Sequence, residues 1–126
     1  MQIVRPVDAE DALRRYLADT LGVEAFAPPA PDDMAPPCVC VERVGGGEES
    51  PVSHEHDVLV HCWAATEAEA VELADRACGT LSSMPLSGRA TTARCNVAAL
   101  VPDPFRPTIP RARFAATVGL RGAALD

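Results

Sequence analysis

With 126 residues, the chain has room for one hydrophobic core and not for two. Its 18 acidic residues against 11 basic ones leave a formal net charge of −7, which argues against binding nucleic acid by phosphate neutralisation. At 48% apolar residues it is too hydrophobic for wholesale disorder, yet no stretch reaches the ~18–20 apolar residues that span a bilayer.

Residues 1–126 are therefore expected to form a single domain. Aromatics make up only 4% of the chain, so the core has to be built from Val, Leu and Ala. Every basic residue is Arg, which favours bidentate pairing with carboxylates. The N-terminus lacks the pattern of a secretory leader, which implies synthesis in the cytoplasm. The odd number of widely spaced cysteines, five in all, argues against a disulfide framework. Cys38, Cys40, Cys62, Cys78 and Cys95 are expected to be small buried hydrophobes in a reducing compartment.

After a short lead-in, Met1–Val7, the spacing of Ala9, Ala12, Leu13, Tyr16, Leu17 and Leu21 predicts a helix over 8–21. Asp8 suits its cap, and Gly22 supplies a left-handed exit. Five prolines in 27–37 forbid helix or central strand, so this stretch is expected to be an extended connector. Residues 38–44 alternate as a strand, with Val39 and Val41 on one face and Cys38, Cys40 and Glu42 on the other. Gly45, Gly46, Gly47 and the polar residues to Ser53 are expected to be a mobile loop.

A second strand is expected over 54–64, with Val58, Val60 and Cys62 opposite Leu59, His61 and Trp63. Thr66 and Glu69 form a capping box for a helix reaching about Ser82. Its inner face carries Ala70, Val71, Ala74, Ala77, Cys78 and Leu81; its outer face carries Glu67, Glu69, Glu72, Asp75 and Arg76. A third strand is expected over 91–101 and a fourth over 111–121, with Phe114, Ala116, Val118 and Leu120 on one face. Between them, residues 102–110 contain four prolines. The result is an α+β fold: a mixed four-stranded sheet, two helices packed on one face, in the order α-β-β-α-β-β.

Candidate chemistry is thin. His54 and His56 alternate on a strand, and with Cys38 and Cys40 from its neighbour they could in principle supply four zinc ligands. No Cys-x-x-Cys spacing accompanies them, so an exposed His pair and packed thiols are expected instead. His61 and Cys62 are adjacent on a strand and face opposite ways, which rules them out as a catalytic pair. The triple glycine lacks the Lys and the following helix of a phosphate-binding loop. No catalytic residue, metal ligand or cofactor is assigned. The acidic face of the second helix reads either as a solvated surface or as a face that meets Arg of a neighbour or repels passing DNA.

The layout as a whole is more informative. An amphipathic helix leads through a Pro-rich connector to PPCVCVERVGG, then to VSHEHDVLVHCWAATEAEAVELADRACGTL, and after a further strand and Pro-rich loop to RARFAATVGLRG. This resembles the tail terminator, or tail completion, proteins of long-tailed double-stranded DNA phages, in which a Trp-Ala step, here Trp63-Ala64, runs into a Thr-capped Ala/Glu-rich helix. The resemblance spans roughly residues 5–122. It implies a homo-oligomeric ring, typically a hexamer, that caps the tail tube, ends its polymerisation and presents the head-joining surface. The implied partners are further copies of the chain, the tail tube protein and head–tail connector proteins, with no membrane and no sequence-specific nucleic acid, although DNA would pass through the ring. Assembly would take place in the bacterial cytoplasm, and the product would sit in the virion.

The two long loops are the expected contact regions. The first offers Gly45, Gly46, Gly47, Glu48 and Glu49; the second offers Phe105, Arg106, Ile109 and Arg111, with Phe105 and Ile109 as exposed apolar anchors. Head-completion and connector subunits share this size and composition, so another place in the phage neck, or a stand-alone interaction domain, stays open. A small enzyme or metal-binding protein is the remaining alternative.

Overall fold

A computed structural model describes residues 3–125; Met1, Gln2 and Asp126, which the lead-in and single-domain expectations include, lie outside the described residues. The element order is β1 (Ile3–Arg5), α1 (Ala9–Leu21), β2 (Glu24–Phe26), β3 (Cys38–Ser50), β4 (Ser53–Trp63), α2 (Glu67–Ser82), a 3₁₀ turn (Met84–Ser87), β5 (Thr92–Cys95), β6 (Ala99–Leu100), β7 (Arg111–Arg121) and β8 (Ala123–Leu125). The fold is α+β with two helices and a mixed sheet. That sheet has six strands rather than four, in the order β2-β3-β4-β7-β5, with β6 also on β7. β2 runs parallel to β3; every other pairing in the sheet is antiparallel.

Local sequence accounts for the helices. Asp8 accepts a hydrogen bond from the Asp11 N–H at 3.1 Å, and Gly22, at φ 69°, closes α1 with its N–H on the Ala18 carbonyl. Leu13 and Leu17 are buried, while Arg14 and Arg15 pair with Asp11 on the wet side. Thr66 caps α2 through the Glu69 N–H at 3.1 Å. The buried side of α2 is Ala70, Leu73, Ala74, Ala77 and Leu81; Val71 and Cys78 are only half-buried. Its three alanines let the helix lie close against the sheet, which suits a chain poor in aromatics.

Both helices cover one sheet face. Register fixes which residues point there: Val58↔Ala116, Val60↔Phe114 and Cys62↔Ala112 across β4–β7, Val39↔Cys62 and Val41↔Val60 across β3–β4. These residues and the helix leucines make the main core.

Three expectations need correction. Gly45–Ser53 is not a mobile loop: β3 runs on to Ser50, and only Pro51 and Val52 separate it from β4. Pairing to the full length of β4 overrides the poor strand propensity of three glycines, at the cost of register shifts between Arg43 and Gly45 and between Glu48 and Ser50. The third strand is broken in two. Cys95 pairs with Ala116 and Ala99 with Arg113, so four residues of one strand span three of the other, and the surplus bulges at 96–98. Finally, β1 and β8, absent from the expectation, pair with each other as a separate two-stranded ribbon.

Candidate assembly surfaces

The sheet face away from the helices is covered at the end that carries Cys38 and Trp63. There the two Pro-rich segments close over Cys38, Cys40 and Trp63, forming a second small core with Met34, Phe26, Ala30 and Ile109. The segment before β7 is held from within. Trp63 Nε1 donates to Asp103 Oδ2 at 3.1 Å, and Asp103 Oδ1 accepts from the Phe105 N–H at 2.9 Å. Arg106 donates to the same carboxylate at 3.3 Å and to the carbonyls of Ala30 and Pro31, each at 3.1 Å. Its guanidinium also lies 5.9 Å from the centre of the Trp63 ring. Arg111 ties the start of the loop through the Val101 and Pro102 carbonyls, at 2.9 and 3.1 Å.

Asp103 is therefore a buried carboxylate surrounded by donors. Burial pushes its pKa up, but the Phe105 N–H, Trp63 Nε1, Arg106 and the charge of Arg111 together outweigh that, and it stays below the ordinary carboxylate value. With the backbone fixed in this way, Phe105 projects outward and is 88% exposed. Arg106, Ile109 and Arg111 are engaged inside the fold. Exposure as an apolar anchor is thus found at Phe105 and not at Ile109, which half-buries itself in the second core.

Beyond this clamp the face carries polar pairs, the first of them on buried His61. His61 Nε2 lies 3.1 Å from Glu42 Oε1, and its Nδ1 lies 3.5 Å from Arg111. Burial lowers the His61 pKa, helped by Arg111 and Arg113 and opposed by Glu42. Further along come half-buried Leu59 opposite Ala115, Asp57 taking a 2.7 Å hydrogen bond from Thr117, and Arg94 3.8 Å from Glu55.

The glycine-rich arm forms the far end. Glu49 reaches across the sheet to accept from Thr91 Oγ1 at 2.6 Å, Ser53 Oγ at 2.9 Å and Thr92 Oγ1 at 3.1 Å. These hydrogen bonds hold its carboxyl below the usual glutamate value. The crossing runs over Gly119, where a Cβ would collide with both threonine hydroxyls and with Glu49. The two expected contact regions consequently lie at opposite ends of the sheet and do not come together: Ser53 pairs with Arg121, Trp63 with Arg111.

His56 is not an exposed partner of His54: it is 0% exposed and faces the helix side of the sheet. Arg43 donates to its Nδ1 at 3.1 Å, which puts the proton on Nε2, and that atom has no partner among the described residues. Burial lowers the His56 pKa, with Arg43 and His54 adding and Asp57 opposing; Glu10, bound to the Arg43 N–H, lines the same hollow as His56. Its folded pKa lies below the unfolded one. The unfolded chain therefore binds the extra proton first, and stability falls as pH drops from the ordinary histidine range through the folded value. Thermal unfolding at pH 7.5 and 5.5 is expected to show a lower midpoint at the acid end, and a smaller drop in His56→Gln. An equal drop in the variant would assign the effect to His61 instead.

The candidate zinc set is divided by the sheet. Cys38 and Cys40 pair with Trp63 and His61 on the outer face, whereas His54 and His56 pair with Leu120 and Val118 on the helix face. Among the described residues no group of three or more His, Cys, Asp or Glu is placed to hold a metal ion. The buried Cys38 and Cys40 thiols are pushed up to about 11 by burial. Cys78 and Cys95 are only half-buried, contrary to the expectation for all five thiols. Among the described residues no helix is long and apolar enough to cross a membrane.

Sequence reasoning missed Asp103, the Glu42–His61–Arg111 chain and the Glu49 clasp. Only Asp103 carried a local signal, an Asp two residues before Phe105, the spacing at which a side chain can bond the backbone. The chain matches no protein-family model and no curated protein.

Proposed function

We propose that the protein is a structural subunit that assembles into a homo-oligomeric ring, caps a phage tail tube, ends its growth and offers the surface to which the head is joined. The observation that carries this reading is the hydrogen-bonded loop that presents Phe105, 88% exposed, at the end of the sheet where the two Pro-rich segments close over the second core. A large aromatic side chain held in solvent by buried hydrogen bonds is a contact prepared before its partner arrives. The acidic outer side of α2, with Glu67, Glu69, Glu72 and Asp75 all exposed, suits a ring through which DNA passes without being gripped. Further copies of the chain, the tail tube protein and head–tail connector proteins are the proposed partners, with six subunits in the ring. No catalytic step belongs to this reading.

Native mass spectrometry at rising protein concentration, with and without purified tail tube, tests it. A closed oligomer, free or captured on the tube, is the expected result. A monomer that ignores the tube at every concentration overturns the proposal.

A further inference from the structure

Resting on the ring reading, we infer that neighbouring subunits join head to tail, with Phe105 of one copy seated in a cleft at the opposite end of the next. The cleft, about 710 Å³, lies between α1, the 3₁₀ turn and the end of β7. Val7, Tyr16, Met84 and Leu120 give it an apolar floor; Arg89 and Arg121 stand at its rim.

Three features make these surfaces complementary. The first is placement. The Phe105 loop is anchored on Trp63 beside Arg111, while the cleft includes Leu120 and Arg121, so knob and socket lie at opposite ends of β7, about 34 Å apart for eleven extended residues. Two different patches at opposite ends of one chain form a heterologous contact, the kind that generates rings.

The second is chemistry. Arg89 lies 5.6 Å from the centre of the Tyr16 ring, and neither Arg89 nor Arg121 has an ion pair among the described residues. An entering phenyl ring meets a wall of Tyr and guanidinium, both favourable to an aromatic face. The knob loop brings backbone carbonyls with few N–H groups, because Pro102, Pro104 and Pro107 have none. Guanidinium rims need acceptors, and the carbonyls of Pro104, Phe105, Pro107 and Thr108 have no donor among the described residues, whereas those of Pro102, Asp103, Arg106 and Pro110 are taken within the fold.

The third is the competition. Among the described residues, Leu86 and Val97 are the other nearly fully exposed large apolar side chains, at 91% and 90%. Leu86 belongs to the 3₁₀ turn that borders the cleft itself, and Val97 lies in the bulge midway along the sheet. Of these three, Phe105 is the one that is both at the far end and held by a hydrogen-bonded loop.

The test places a photo-reactive benzoylphenylalanine at Phe105 in chains made with ordinary nitrogen, mixed with ¹⁵N-labelled wild type. Irradiated oligomers are then mapped by mass spectrometry. Crosslinks between differently labelled chains that land on Tyr16, Met84 or Arg121 are the expected result. Phe105→Ala, a surface change expected to leave the thermal midpoint of the dissociated subunit unaltered, should weaken association about 30-fold. Arg89→Glu with Arg121→Glu should weaken it in the wild type, yet add little in Phe105→Ala, since the contact is already lost. Oligomers whose crosslinks map elsewhere, or to the tail tube protein, overturn the knob-and-socket contact and leave the ring standing. A chain that never associates overturns both.

Discussion

Replacing Asp103 with Ala is expected to lower the unfolding free energy by about 3 kcal/mol, a loss typical of breaking a buried charged network by removing one partner. The substitution strips Trp63 Nε1 of its acceptor, frees the Phe105 N–H and leaves Arg106 without its carboxylate, all at the edge of the second core. For a domain of this size the thermal midpoint should fall by about 10 °C. Asp103→Asn keeps an acceptor for Trp63 and should lose about half as much. The acid branch has a definite sign. Because the folded carboxyl titrates below its unfolded value, its contribution is complete above the ordinary carboxylate range and disappears as pH falls through the folded value. In Asp103→Ala that part of the acid transition should be absent. Denaturant melts that place Asp103→Ala within 0.5 kcal/mol of wild type, below the usual effect of a buried network, would show that the loop does not depend on it.

Gly46→Val is the second large effect, expected at about 3 kcal/mol from left-handed backbone strain together with a steric clash. Gly46 sits at φ 144°, and a Cβ there would run into the carbonyl oxygen of Glu55, which is backbone and cannot move aside cheaply. Gly46 pairs with His56, so the damage reaches a buried residue and not only the tip. Hydrogen exchange should report it as faster exchange from Gly45 to Asp57, with α1 and α2 much less affected. Gly47→Ala is the control: nothing lies within 4 Å of the added carbon, and its φ is not positive. A Gly46 variant as stable as this control would rule out the strained pairing described for the arm.

What was legible in the sequence had local causes. Asp8, Gly22 and Thr66 announce the helix ends through capping chemistry, and each makes the bond its residue type suggests. The alternation of β7 identified its core side because that side meets helices while the other meets water. The failures share a different cause. Glycine at 45–47 speaks against a strand, and only the partner strand, some ten residues on, reverses that preference. Residues 91–101 alternate without interruption, yet the stretch of β7 from Arg113 to Ala116 is one residue shorter than Cys95–Ala99 opposite it, which no property of 91–101 could reveal. β2 has three residues, and its parallel pairing depends on where the 27–37 connector returns the chain.

The same division runs through the proposed assembly surfaces. Phe105 in a loop of prolines could be singled out from sequence as an apolar anchor. That Arg106 and Ile109 face inward beside it could not, because their partners, Ala30, Pro31 and Met34, lie more than seventy residues away. Nor could the cleft that faces Arg89 and Arg121, which is assembled from four separate stretches of chain.

The ribbon of β1 on β8 has a practical consequence for orientation. Arg5 lies opposite Ala123 and Ile3 opposite Leu125, and Gly122 bonds back to Val52 beside the arm. Polypeptide attached before Ile3 or after Leu125 therefore starts from the same corner, at the Arg121 end. A fluorescent or affinity domain fused at either position would mark the Arg121 pole of the subunit. Two such fusions, compared by electron microscopy on assembled particles, would place their extra mass at the same point of each subunit, beside the contact where the neighbour's Phe105 enters.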